Sequence, residues 1–111
     1  WNEGPFVLKH DGKYYLTYSA NYYASLKYAV GFAVAERADG PYRKSEKNPI
    51  LAYVENEMSG PGHNSFFTAK DGKLKCAFHI HADYNDPKGS RVVCVADAGF
   101  DKDGDLFVDY K

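Results

Sequence analysis

Glu3 and His63 stand sixty residues apart and open two similar stretches of chain, Glu3-Gly4-Pro5-Phe6 and His63-Asn64-Ser65-Phe66. A carboxyl group and an imidazole brought to one place can pass protons to and from a bound molecule, the chemistry of general acid–base catalysis. Taken singly, Glu3 also reads as a frayed, exposed glutamate and His63 as a hydrogen-bonded turn histidine. Trp1, Tyr22 and Tyr23 offer flat apolar faces with a polar edge, suited either to stacking on a sugar ring or to packing against a neighbouring element. Arg91 can donate to hydroxyl groups or stay in solvent. His79 and His81 alternate, so both point to one side of a strand. Two such histidines can start a transition-metal site, but no third ligand follows at a matching spacing, and a hydrogen-bonded strand-end pair is the simpler reading. Asp101-x-Asp103-Gly104-Asp105 lacks the rest of a calcium loop and reads as an acidic turn.

What must position these residues is a repeat. At a shift of 60, Phe6 meets Phe66, Asp11-Gly12-Lys13 meets Asp71-Gly72-Lys73, Leu16 meets Cys76, Tyr18 meets Phe78 and Ser19 meets His79. At a shift of 61, Val34-Ala35-Glu36 meets Val95-Ala96-Asp97. Each copy reads as four short strands, near 5–9, 13–19, 29–36 and 41–45, then 64–69, 73–80, 90–97 and 105–110. The two Asp-Gly pairs mark hairpins between apolar runs. Pro41, after Gly40, suits an outer edge strand, where a missing donor is tolerated. No stretch sustains a helical period between caps.

The expected fold is therefore all-β: two four-stranded antiparallel blades of a β-propeller, about 1–46 and 61–111, joined by a loop over 46–62 within one partial domain, 1–111. A small eight-stranded sandwich is the alternative, and the strictness of the repeat argues against it. In a blade, the start of the first strand, the end of the second and the start of the third share one end. That end gathers Glu3, Ser19 and loop 20–28 in one copy, and His63, His79, His81 and loop 81–90 in the other. The Asp-Gly turns fall at the opposite end. Propellers close with four to eight blades, so two leave open edges and apolar flanks. The expected partners are the remaining blades of a longer protein or another copy of the chain.

Composition narrows the class. A length of 111 residues suits one modest domain. With 14 basic and 15 acidic residues the net charge is −1, and no basic patch suggests a nucleic-acid partner. Ten Tyr, seven Phe and one Trp favour strands, and most of these rings belong in the core. Cys76 and Cys94 fall in apolar runs and read as small buried hydrophobes rather than a disulfide framework, although neighbouring strands could bring them together. No segment is long and apolar enough for a membrane-spanning helix, so no membrane partner is expected. The chain opens on Trp1 with neither a starting methionine nor a leader pattern, as a fragment would.

Asn2-Glu3-Gly4-Pro5, then Tyr14-Tyr15-Leu16 up to Ser19, resembles the catalytic-acid blade of glycoside hydrolase family 43. Gly31-x-Ala33-x-Ala35, Gly40-Pro41-Tyr42, Asn48-Pro49-Ile50-Leu51 and Ser59-Gly60-Pro61-Gly62-His63-Asn64-Ser65 are similar to that family in the same order, and nearly the whole chain is covered. The resemblance implies a five-bladed propeller that hydrolyses arabinose- or xylose-containing plant-type oligosaccharides and polysaccharides with inversion. It implies that Glu3 is the general acid. It also implies that His63 lies near the channel centre, where arabinan-degrading relatives link a histidine to a bound calcium or a water cluster. No cofactor is required, and a structural calcium reached from His63 through water is what the resemblance allows. The family's aspartate base, and the second aspartate that orients the acid and tunes its pKa, precede the Glu-Gly-Pro segment and have no counterpart here. One carboxyl cannot both protonate the leaving group and activate water on the far side, so the isolated chain is expected to be inactive. A secreted or periplasmic location is favoured over a cytoplasmic one. The competing readings are a non-catalytic carbohydrate-binding module on the same aromatic face and an assembly domain acting through its open edges; fold alone does not choose among them.

Overall fold

The computed structural model describes residues 2–111, so Trp1, one of the candidate sugar platforms, lies outside the described residues. Eight strands follow one another: β1 (Asn2–His10), β2 (Lys13–Ala20), β3 (Ala29–Ala35), β4 (Arg43–Lys44), β5 (Gly62–Thr68), β6 (Leu74–His81), β7 (Arg91–Phe100) and β8 (Leu106–Asp109). They form two antiparallel four-stranded meanders, β1-β2-β3-β4 and β5-β6-β7-β8, with no helix among the described residues. These are the two blades the repeat predicts.

The core lies between the blades. Alternation along each strand sends one set of side chains inward. Tyr15, Val30, Phe32, Ile50 and Leu51 from the first half form one buried cluster with Phe66, Cys76, Phe78, Leu106 and Val108 from the second. Phe6 and Phe66 meet across the interface with ring centres 5.8 Å apart. At the Asp-Gly end, Phe100 stacks on His10 at 3.7 Å and meets the edge of Tyr15 at 4.8 Å. The Tyr15 hydroxyl donates to the Gly104 carbonyl at 2.6 Å. The outward faces stay open: Val7 on one blade, and Phe67, Val93, Val95 and Phe107 on the other, are exposed.

The repeat is offset in a way the aligned letters hide. Phe6 faces Thr17 across β1 and β2, and Phe66 faces Cys76 across β5 and β6. Cys76 therefore takes the place of Thr17, not of Leu16, and Phe78 takes that of Ser19. Burial agrees, since Thr17, Ser19, Cys76 and Phe78 are all buried while Leu16 and Tyr18 are only partly so. The cause is the turns. Asp11-Gly12 is a two-residue loop with both φ angles positive, closed by the His10–Lys13 pair. The second hairpin closes one pair earlier, with the Ala69 N–H donating to the Lys73 carbonyl and Gly72 in the left-handed region. It uses one residue fewer, and a one-residue slip exchanges the two faces of a strand. The third strands differ more. Phe32 faces Thr17 as Ala96 faces Cys76, so Val34-Ala35-Glu36 and Val95-Ala96-Asp97 do not hold equivalent places.

Both inner strands carry a bulge at their start. The β1–β2 register shifts between Glu3 and Phe6, and the β5–β6 register shifts between Gly62 and Ser65. A bulge inserts one extra residue and re-aims the side chains beside it.

The fourth strand of the first blade is shorter than its sequence suggests, because the connection takes over its pairing. Asn48 Oδ1 accepts from the Phe32 N–H at 2.8 Å, and Asn48 Nδ2 donates to the Phe32 carbonyl at 2.9 Å. The Val30 N–H donates to the Leu51 carbonyl at 2.9 Å. A side-chain amide and a two-residue bridge thus continue the ladder and deliver the chain back to the end that bears Glu3.

Candidate active site

The bulged starts of β1 and β5 bring Glu3 and His63 to the same end of the two-blade unit. Both side chains are exposed. A methyl group on Gly4 would sit 3.3 Å from the His63 ring, so the two bulges touch. The His63 backbone N–H donates to the buried Ser19 hydroxyl at 2.7 Å, which fixes β5 against the end of β2. One residue on, buried Asn64 donates through Nδ2 to the buried Thr17 hydroxyl at 3.0 Å. These two polar ties set how far one bulge stands from the other, because a slip would leave buried donors unpaired.

Glu3 has a partner that sequence reasoning missed. Tyr28, just before β3, is buried, and its hydroxyl donates to Glu3 Oε1 at 2.8 Å. Burial pushes this hydroxyl above the ordinary tyrosine value; the Glu3 carboxylate adds to the rise and the Ser19 hydroxyl opposes it. The Tyr28 ring lies against Gly62, where a Cβ would fall 2.1 Å from the ring carbon Cε2. The clue in the sequence is a tyrosine at the end of the β2–β3 loop, which topology returns to the start of β1.

His79 completes the cluster. Its ring lies 6.2 Å from that of His63 and 6.4 Å from that of Tyr28. Its Nδ1 is buried and has no hydrogen-bond partner among the described residues. Burial, then the Arg91 guanidinium and His63, hold its pKa below the usual histidine value, which favours the neutral ring.

His81 does other work. Its Nδ1 meets the Ser59 hydroxyl at 2.8 Å and its Nε2 meets the Tyr23 carbonyl at 3.0 Å, while Ser59 also donates to the Tyr84 carbonyl at 2.9 Å. With both ring nitrogens engaged, His81 locks three loops together; of the two histidines read as a hydrogen-bonded pair, His81 has that role, whereas His79 Nδ1 has no partner among the described residues. Tyr22 and Tyr23 are about half exposed, 46% and 48%, and meet edge to face at 5.0 Å. The Arg91 guanidinium lies 5.8 Å from the Tyr23 ring centre. These three form a rim of aromatic and cationic surface beside the loops that His81 ties.

The donors around His63 are imidazoles and a hydroxyl already engaged by a backbone N–H. Calcium prefers six to eight oxygen ligands, so this set does not make a calcium cage by itself. Asp101, Asp103 and Asp105 form the one three-carboxylate cluster among the described residues, at the far end. There Asp101 Oδ1 accepts from the Asp103 and Asp105 N–H groups at 2.9 and 3.0 Å, the acidic turn the sequence suggests.

The arrangement is one exposed carboxyl group, gripped through one oxygen by a buried phenol, beside a neutral imidazole and under an aromatic rim. Such a group can exchange a proton with a ligand held at this end of the two blades. Comparison with known proteins agrees in family and in fold. The family model described as "Glycosyl hydrolases family 43" matches residues 1–106. An extracellular exo-α-(1→5)-L-arabinofuranosidase of Streptomyces chartreusis is 39% identical over 77 residues, covering 65% of this chain and 23% of its own length. The crystal structure of a thermostable family-43 glycoside hydrolase superposes with a TM-score of 0.95 at 47% identity, over 100% of this chain and 36% of that one. The structure of an endo-1,4-β-xylanase from Bacteroides thetaiotaomicron gives 0.92 at 35% identity, over 100% and 38%. The chain thus spans well under half the length of each of these three proteins.

Proposed function

Because the chain belongs to the glycosyl hydrolases family 43, we propose that it supplies the acid-bearing blades of a five-bladed propeller glycosidase, with Glu3 as general acid. The substrates are plant-type oligosaccharides or polysaccharides containing arabinose or xylose. The observation that carries this reading is the Glu3–Tyr28 pair at the channel mouth: one carboxyl oxygen is held by a buried hydroxyl.

Glu3 gives its proton to the glycosidic oxygen as the bond from that oxygen to the anomeric carbon breaks. A water attacks the opposite face of the sugar and passes its proton to a carboxylate base, inverting the anomeric centre. For inversion the two carboxyl groups stand roughly 6.5–9.5 Å apart, with the water between. That base and a further carboxylate that tunes the acid come from other blades. The isolated chain is therefore inactive. Those blades pack on the exposed faces that carry Val7 on one side and Val93 and Val95 on the other. Tyr22 and Arg91 line the approach as sugar-binding residues, and His63 lies by the axis, where any calcium would be reached through water. The longer protein acts outside the cytoplasm, in keeping with the extracellular relative.

The test is hydrolysis of aryl arabinofuranosides, aryl xylosides and linear arabinan by the longer protein and its Glu3→Gln variant. Loss of about 10²- to 10⁴-fold in turnover, with sugar binding retained, is expected for removal of a general acid. A folded parent that binds these sugars and hydrolyses none of them would favour the binding-module reading, for which the exposed Tyr22–Tyr23 pair beside Arg91 is the supporting feature.

A further inference from the structure

We propose that Tyr28 is a positioning residue of the acid, and that Gly62 of the following blade is the seat that holds Tyr28 in place. This rests on the reading of Glu3 as the acid. The geometry is specific. Glu3 pairs with Ser19 at the edge of the bulge, and the ladder resumes only at Phe6. Glu3 is exposed, and among the described residues its carboxyl makes one hydrogen bond, from Tyr28 at 2.8 Å. Tyr28 is itself 2% exposed, so its ring cannot swing to follow a mobile carboxyl.

Ring position is set by the neighbouring blade. A Cβ on Gly62 would lie 2.1 Å from Cε2, 2.7 Å from Cδ2 and 3.0 Å from Cζ of Tyr28, so any residue but glycine would displace the ring. The far side of the cluster is closed by His79, nearly parallel to Tyr28 at 6.4 Å with an interplanar angle of 10°. A hydroxyl kept protonated by burial can donate only where its ring points, and it points at Oε1. That leaves Oε2 as the oxygen that carries the proton to the leaving group. The orientation of an acid on the first blade is thus fixed through a residue on the second.

Leaving-group dependence provides the test. Alkyl glycosides and oligosaccharides need protonation of the departing oxygen, whereas dinitrophenyl glycosides depart with little help. A residue that only props up the fold would slow both alike. Tyr28→Phe removes one oxygen and keeps the ring. In the longer protein it is expected to lower kcat by about 10- to 100-fold on the poor leaving groups, the scale of a misplaced catalytic group. KM should stay unchanged, and the dinitrophenyl substrate should lose less than about 3-fold on the same scale. Gly62→Ala, with its melting curve still cooperative, should show the same selective loss.

Glu3→Gln is run in parallel. If it shows the selective loss and Tyr28→Phe slows both substrate classes equally, or neither, the positioning role is overturned and the acid reading stands. If Glu3→Gln itself fails to discriminate between leaving groups, the acid reading falls, and this proposal falls with it.

Discussion

The hydroxyl of Ser19 accepts a hydrogen bond from the backbone N–H of His63 at 2.7 Å, across the boundary between two blades. Ser19 closes the second strand of one blade and His63 opens the inner strand of the next. The contact therefore couples the end of one meander to the bulge of the other. Ser19→Ala leaves that N–H without its partner. A stability loss of about 1–3 kcal/mol is expected, the cost of an unsatisfied donor. A denaturant melt of the longer protein checks it; a change under half that would mean solvent replaces the bond.

Gly60 has no room for a side chain. Its φ is +66°, and an added Cβ would sit 2.3 Å from the His81 ring. That ring cannot yield, because Ser59 and the Tyr23 carbonyl hold both its nitrogens. Gly60→Ala should cost ~3 kcal/mol or more, at the severe end for a single substitution. A calorimetric melt showing a wild-type midpoint would contradict the three-loop lock.

Acid should weaken the fold through His79. Burial, Arg91 and His63 hold its folded pKa below the ordinary histidine value of 6.5. Above 6.5 the ring is neutral in both folded and unfolded chains, and the group makes no difference. As the pH falls below 6.5, the unfolded chain takes up the proton first, so stability drops until the lower folded value is passed. His79→Gln should flatten the stability–pH curve over that window. An unchanged slope in the variant would assign the acid sensitivity to another group.

The two thiols should differ in reactivity. Cys76 is buried, and burial pushes its thiol up to about 12, while Cys94 is partly exposed. Reaction depends on the thiolate, so under native conditions Cys94 should label with a disulfide reagent well before Cys76. Mass spectrometry of the labelled peptides reads this, and fast labelling of Cys76 would mean that the core between the blades opens readily.

The inner strands are legible in the sequence because the start of each blade, Glu3 to Phe6 and His63 to Phe66, keeps both spacing and face. The second strands are less so. The matching Asp-Gly pairs draw the eye to an unbroken shift of 60, yet the two turns close differently, and the register behind them moves by one. Letters record the turn residues but not which pair closes the loop. The partners of the site were hidden for a related reason. Tyr28 reaches Glu3, Ser59 reaches His81 and Asn48 reaches Phe32 through folding of loops, whose residues carry no period from which a contact can be read. Trp1 stays outside the described residues.

The recurring bulge at the head of each inner strand separates two jobs that a regular strand would tie together. In an unbroken ladder, a change at one position alters a face that must still pack. Glu3 and His63, beside the bulges, are both exposed and lie off the packed face, so these two places can vary with little effect on the core. One blade puts a carboxyl there and the next an imidazole, on the same scaffold. A ring of such blades around one axis becomes a set of independent choices about what faces the channel. The chemistry of the whole can then change one blade at a time.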